Sequence, residues 1–181
     1  MKYYAGIGSR NTPTDVLGLM TEIAEYMAHN SYCLLSGGAS GADSAFEKGA
    51  TQVPNAKREI YLPWDGFNGR MIDNITVFSG VTQQSMQVAE YYHPNWGACG
   101  STARKLMARN TFQILDEYLL PRAALVVCWT PDGANRETTR STGGTGQAIR
   151  IAVGNGIRVY NLALPKVRAI VEECFSNLKG E

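Results

Sequence analysis

Two glycine-rich stretches and a few arginines carry the chemistry this sequence offers. Ser36-Gly37-Gly38-Ala39-Ser40-Gly41-Ala42-Asp43 follows the apolar run Cys33-Leu34-Leu35 and opens into Ser44 to Ala50, in the order strand, tight loop, helix. The first N–H groups of a helix lack intrahelical partners and carry the positive end of its dipole, so such a loop seats an anion without a lysine. Ser141-Thr142-Gly143-Gly144-Thr145-Gly146 leads in the same way into the helical stretch Gln147 to Val153. Hydroxyls at Ser36, Ser40, Thr142 and Thr145 add donors, and Arg10, in Gly6-Ile7-Gly8-Ser9-Arg10, offers a charged fork to phosphate or carboxylate. Neither loop ends in the G-K-[ST] of a magnesium nucleoside triphosphatase, and neither is the full G-x-G-x-x-G dinucleotide fingerprint. The expected ligand is a nucleotide or another phosphate-bearing small molecule, with no resident cofactor.

Several of these residues have a plainer role open to them. Glycine at a helix entry also lets the helix pack closely on its strand. Asp43 either holds a ribose hydroxyl or complements a helix start. His93, in Tyr91-Tyr92-His93-Pro94-Asn95-Trp96, is a proton carrier or a solvated loop residue. Tyr91, Tyr92 and Trp96, like Trp64 and Phe67, either stack a base or pack in the core.

The elements that must position these groups alternate along the chain. Tyr3 to Ile7 reads as a buried strand. Thr12-Pro13-Thr14-Asp15 supplies an N-cap with proline at the first helical position, followed by the stripe Leu17, Met20, Ile23, Ala24 and Met27. Cys33 to Leu35 is a second strand, Ala42 to Ala50 a second helix, and Glu59 to Leu62 a third strand stopped by Pro63. Trp64 to Val81 reads as a long loop. Helices follow over Gln84 to Tyr91 and Thr102 to Tyr118. Ala123 to Trp129 is a continuous apolar run of the kind a parallel sheet buries on both faces. Ile157 to Asn161 and Val167 to Leu178 close the chain as strand and helix. This alternation predicts an α/β fold over residues 1–181, a single Rossmann-like, doubly wound domain with a mainly parallel sheet. In such a sheet the ligand lies beyond the carboxyl ends of the strands, where the loops after strands one, two and four converge.

Composition narrows the function further. The 181 residues are 44% hydrophobic and 18% charged, which suits one ordinary globular core. The net charge of +1 supplies no global field toward nucleic acid or anionic membrane. No run approaches the ~20 apolar residues of a membrane helix, and no signal peptide precedes Tyr3, so a cytoplasmic, membrane-free protein is expected. Cys33, Cys99, Cys128 and Cys174 are far apart, with no zinc spacing, and read as free thiols without a metal.

Gly6-Ile7-Gly8-Ser9-Arg10, Ser36 to Asp43, Ala108-Arg109-Asn110 and Gly143-Gly144-Thr145-Gly146-Gln147-Ala148 together resemble the ordered motifs of the SMF/DprA and LOG Rossmann-like proteins of the SLOG superfamily, over residues 3 to 162. The resemblance implies nucleotide-phosphate binding by Gly8, Ser9, Arg10, Ser36, Gly37, Gly38, Ser40, Gly41, Asp43, Arg109, Asn110, Gly143, Gly144, Thr145, Gly146 and Gln147. Its DprA side implies single-stranded DNA and DNA processing as an alternative, with Asp43 and the Arg109-Asn110 pair matched, Ser40 where that family commonly has a basic residue, and no added winged-helix domain. Its LOG side implies a phosphoribohydrolase that cuts an N-glycosidic bond, but Gln147-Ala148-Ile149-Arg150 stands where that motif continues to a glutamate. If such a bond is cut, the acids available are Asp43, Glu47 and Glu90, with His93 as proton carrier. Dimers are common in the family, so a homodimer or larger homo-oligomer is expected.

Overall fold

The computed structural model describes residues 1–179. Strands β1 (Lys2–Gly6), β2 (Tyr32–Ser36), β3 (Arg58–Leu62), β4 (Val77–Ser79), β5 (Leu125–Cys128) and β6 (Arg158–Asn161) alternate with helices α1 (Thr14–His29), α2 (Ala42–Thr51), α3 (Gln83–Tyr92), α4 (Ser101–Phe112), α5 (Thr145–Gly154) and α6 (Pro165–Lys179), with α3 and α4 both falling between β4 and β5. The six strands form one sheet in the order β4-β3-β2-β1-β5-β6, and every pairing is parallel. The chain winds outward from β1 to β4, then returns to lay β5 on the other side of β1. The topological switch therefore falls between β1 and β5, the place where a doubly wound sheet opens a crevice.

Alternation along each strand sends neighbouring side chains to opposite faces. Tyr4, Leu34 and Val127 pack with Met20, Ile23 and Phe46 under α1 and α2. Ala5, Leu35 and Val126 pack with Ile114, Ile149 and Ile151 under α4 and α5. Each such fully buried aliphatic contributes roughly 1.5–3 kcal/mol over its exposed state, which is why these short strands read as unbroken apolar runs.

Three boundaries differ from the sequence reading. Pro13 is the N-cap of α1 and its ring has no acceptor to offer a cap, while the Thr12 hydroxyl donates to the Ser9 carbonyl (2.8 Å) and not to the helix. The segment read as a loop over Trp64 to Val81 contains β4, which pairs with β3 from Ile60↔Val77 to Leu62↔Ser79. Helix α4 stops at Phe112 and not at Tyr118: Asp116 accepts the N–H groups of Tyr118 and Leu120 (both 2.9 Å), and Leu119 takes a left-handed φ of 62° that no helix continues through.

Candidate functional site

The first glycine loop folds around a residue of its own. Asp43, in the first turn of α2, turns its carboxylate back into the loop, where it accepts the N–H of Ala39 (3.2 Å) and faces those of Gly37 and Gly8. Arg109, from α4, lies alongside with Nη1 3.8 Å from the carboxylate and donates to the carbonyls of Gly37 and Tyr61. Both side chains are buried, at 4% and 6% exposure. Burial pushes the Asp43 carboxyl above its ordinary range, against the opposing pull of Arg109 and the three N–H groups. The same burial pulls Arg109 below its usual value, opposed by Asp43. The loop's anion is thus largely the protein's own carboxylate.

The glycines of this loop serve that packing. A Cβ on Gly37 would stand 1.6 Å from Arg109 Nη1, and one on Gly41, whose φ is 78°, would stand 2.7 Å from the Arg10 backbone. Ser36 is fully buried and its hydroxyl donates to the Gly6 carbonyl (2.7 Å), tying β2 to β1.

The second loop is built differently. Asp132, after β5, gathers it: its Oδ2 accepts the hydroxyls of Thr139 (2.9 Å), Ser141 (3.3 Å) and Thr142, and its Oδ1 accepts the Ala134 N–H (3.3 Å). Despite some desolvation, these donors hold its carboxyl down at about 2. From the other side Asn110 donates to the Gly144 carbonyl (3.1 Å), so α4 fixes the entry of α5. Gly143 turns at φ 68°, and Gly144 precedes the helix with an ordinary backbone. A Cβ on Gly144 would meet only the Met107 methyl, at 3.8 Å.

The two loops and the end of β1 enclose a cleft of about 490 Å³ at the β1/β5 switch. Of the residues the sequence singles out, Gly8, Ser9, Arg10, Asp43, Arg109, Asn110, Gly143, Gly144 and Thr145 line it. Ser141 and Thr142 of the second loop join them, and the further walls include Asn11, Gln113 and the apolar Leu106, Met107 and Pro131, which carry no motif and become visible only when α4 and the β5 loop fold together. Arg10 is exposed at the cleft. Arg109 Nε is buried and, among the described residues, has no hydrogen-bond partner.

Ser36, Gly37, Gly38, Ser40, Gly41, Gly146 and Gln147 are not on the wall. Gln147 is fully buried with its amide donating to the Ala89 carbonyl (2.8 Å) and accepting from Arg150 (2.8 Å), so it ties α5 to α3. Of the candidate acids, Glu47 is held by Arg70 in a bidentate pair (2.9 and 2.5 Å) and Glu90 lies exposed on α3. His93 sits apart from the cleft with Cys99 Sγ 3.7–3.8 Å from both ring nitrogens and Trp96 across its edge. Partial burial and nearby Arg150 lower its pKa. None of the aromatics weighed for base stacking lines the cleft: Tyr92 packs on Gly154, Trp96 lies under Arg104, and Phe67 lies beneath Arg109.

Cys33, Cys99 and Cys128 are free thiols, and the side chain of Cys174 lies outside the described residues. Among the described residues there is no cluster of three or more metal-ligating side chains, and no helix is long and apolar enough to cross a membrane.

The architecture is that of a Rossmann-like, doubly wound α/β domain with a parallel sheet. Among solved structures, DNA processing protein A from Helicobacter pylori, described for its single-stranded DNA binding mode, is similar over 97% of this chain and 81% of its own, at 14% identity and a TM-score of 0.55. The molybdenum cofactor carrier protein of Chlamydomonas matches 99% of this chain and 86% of its own, at 16% identity and a TM-score of 0.49. No family model matches the sequence, and no curated protein does.

Proposed function

We propose that this protein binds a nucleotide in the β1/β5 cleft, with the phosphate at the N-terminus of α5. One observation carries the reading: Gly144 has no packing partner to keep clear of and no unusual φ, yet it stands at a helix entry on a cleft wall shared with Arg10 and Arg109. A side chain there would cover the backbone N–H groups at that entry, which are the donors a phosphate uses. Arg10 and Arg109 line the cleft with a single carboxylate, Asp43, which pairs with Arg109, leaving a surplus of positive charge for an anion. Leu106, Met107 and Pro131 give the base or sugar an apolar wall.

Calorimetric titration with nucleoside mono- and diphosphates tests this directly. Saturable binding that disappears in Arg10→Ala supports it, and absence of binding across the panel sinks it. The same mixtures, followed by chromatography for free base, test N-glycosidic hydrolysis. Of the three candidate acids Asp43 alone is on the cleft wall, and its carboxylate already accepts backbone N–H groups, which favours binding over hydrolysis.

Single-stranded DNA is the second reading, favoured by the fold shared with DNA processing protein A and by exposed Arg10 and Arg140 at or beside the cleft lining. Affinity for an oligonucleotide that falls steeply with salt supports it, and no binding at low salt excludes it.

A further inference from the structure

The loop between β5 and α5 looks in sequence like a polar connector, Asp132-Gly133-Ala134-Asn135-Arg136-Glu137, with no motif. Folded, it has a hub. We propose that Asp132 is the positioning residue of the phosphate seat: its carboxylate fixes the turn through Ser141 to Thr145 in the one shape that presents the α5 N-terminus to the cleft. The inference rests on the seat proposed above and adds what builds it.

The geometry is specific. Thr142 is 2% exposed, and its hydroxyl does two jobs, accepting the Thr139 N–H (2.8 Å) while donating to Asp132 Oδ2. Thr139 and Ser141 donate to the same oxygen and lie 2.7 Å from each other, so three hydroxyls from four consecutive positions converge on one carboxylate oxygen. Gly143 then donates to the Arg140 carbonyl (3.3 Å) and Gly146 to the Gly143 carbonyl (3.1 Å), which starts the helix directly after the turn. The Thr142 methyl packs 3.2 Å from where a Cβ on Gly146 would be, so the hub residue also sets the first turn of α5. A second brace holds the far end: Arg150 donates to the Thr138 hydroxyl (2.6 Å) and to the Tyr92 carbonyl (2.6 Å).

Asp132 itself is exposed and does not line the cleft. Its influence on a ligand must pass through the turn. The arrangement also has an electrostatic consequence. A carboxylate close to a phosphate seat repels the ligand, but here hydroxyl dipoles from Thr139, Ser141 and Thr142 are aimed at the anion and satisfy it. An exposed loop with few apolar contacts would otherwise sample many shapes, and a ligand would bear the cost of ordering it.

The test compares wild type, Asp132→Ala and Asp132→Asn, using adenosine 5′-monophosphate as probe in calorimetry and amide hydrogen exchange over residues 138–146 without ligand. Losing several hydrogen bonds to a charged acceptor should weaken AMP binding about tenfold or more in Asp132→Ala and speed exchange across the turn by a similar factor. Asp132→Asn, which keeps an acceptor oxygen, should recover part of both. The melting temperature should fall by only about 2–8 °C, the share of stability that the hydrogen-bonded carboxylate contributes at neutral pH. Unchanged AMP affinity in Asp132→Ala overturns the proposal, as does a fall in affinity that follows only from global destabilisation. If wild type does not bind AMP, the nucleotide reading is what fails, and exchange alone decides: an unchanged turn in Asp132→Ala overturns the positioning role, and a loosened one upholds it.

Discussion

Replacing Arg109 by methionine should damage the fold as well as the cleft. Arg109 and Asp43 are both nearly inaccessible and 3.8 Å apart, so removing the guanidinium strands a carboxylate in the interior. Breaking a buried pair in this way costs about 3–5 kcal/mol, the lower end applying here because the N–H groups of Ala39, Gly37 and Gly8 still face the anion. With a urea slope of about 2 kcal/mol/M for a chain of this size, the unfolding midpoint should fall by roughly 1.5 M or more. The loss should also depend on pH. Burial already raises Asp43 in the folded state, so the native protein holds that proton more tightly than the unfolded chain and stability falls as pH rises above the ordinary carboxylate range. Without Arg109 this trend steepens, and Arg109→Met should be further below wild type at pH 8 than at pH 5. Adding Asp43→Asn removes the stranded charge while keeping an acceptor for the Ala39 N–H, so the double variant should be more stable than Arg109→Met. Urea melts of wild type, Arg109→Met and the double variant at both pH values check this. A midpoint shift below about 0.5 M for Arg109→Met, or a double variant no better than the single, refutes the claim that the pair holds the first loop together.

Other outcomes follow from the same contacts. Gly144→Asp should abolish nucleotide binding with little effect on folding, since it brings bulk and like charge to an open position, whereas Gly37→Ala should destabilise the protein because its Cβ collides with Arg109; binding assays paired with thermal melts separate the two. Asp132, held at about 2, contributes stability that is complete above the ordinary carboxylate range and is lost as pH falls toward 2, so Asp132→Asn should flatten the acid limb of the stability curve. Glu47→Ala should leave nucleotide affinity unchanged and cost about 1 kcal/mol through its half-buried pair with Arg70, a drop of roughly 2–4 °C in melting temperature.

The sheet was legible because β1, β2 and β5 are apolar runs, and β3 and β6 carry short β-branched and aromatic cores, Ile60-Tyr61-Leu62 and Val159-Tyr160, ended by proline or a polar turn. Strand β4 escaped because Val77-Phe78-Ser79 is three residues long and follows a polar turn in which Asp73 accepts the N–H groups of Ile75, Thr76 and Val77. The overrun of α4 has a similar origin, since Gln113 to Tyr118 carries helix-compatible residues and ends through a turn that Asp116 builds. At the site, sequence placed both glycine loops at one end of the sheet, and they meet there. It did not separate their roles. Ser36 to Asp43 looks like an anion seat because it is one, but the anion is Asp43, and its partner Arg109 comes from 66 positions along the chain. Asp132 was invisible for the opposite reason: an aspartate among polar loop residues has no pattern until three hydroxyls turn toward it.

The central claim is that a phosphate sits on the α5 entry and not in the first loop. Amide chemical shifts of the isotope-labelled protein, followed during titration with adenosine 5′-monophosphate, test it residue by residue. The largest changes should fall on Gly143, Gly144 and Thr145, with smaller ones at Ser9 and Arg10 and little at Gly37 and Ala39, whose N–H groups face Asp43. Dominant shifts at Gly37 to Ala39, or none near Gly144 at saturation, would contradict it.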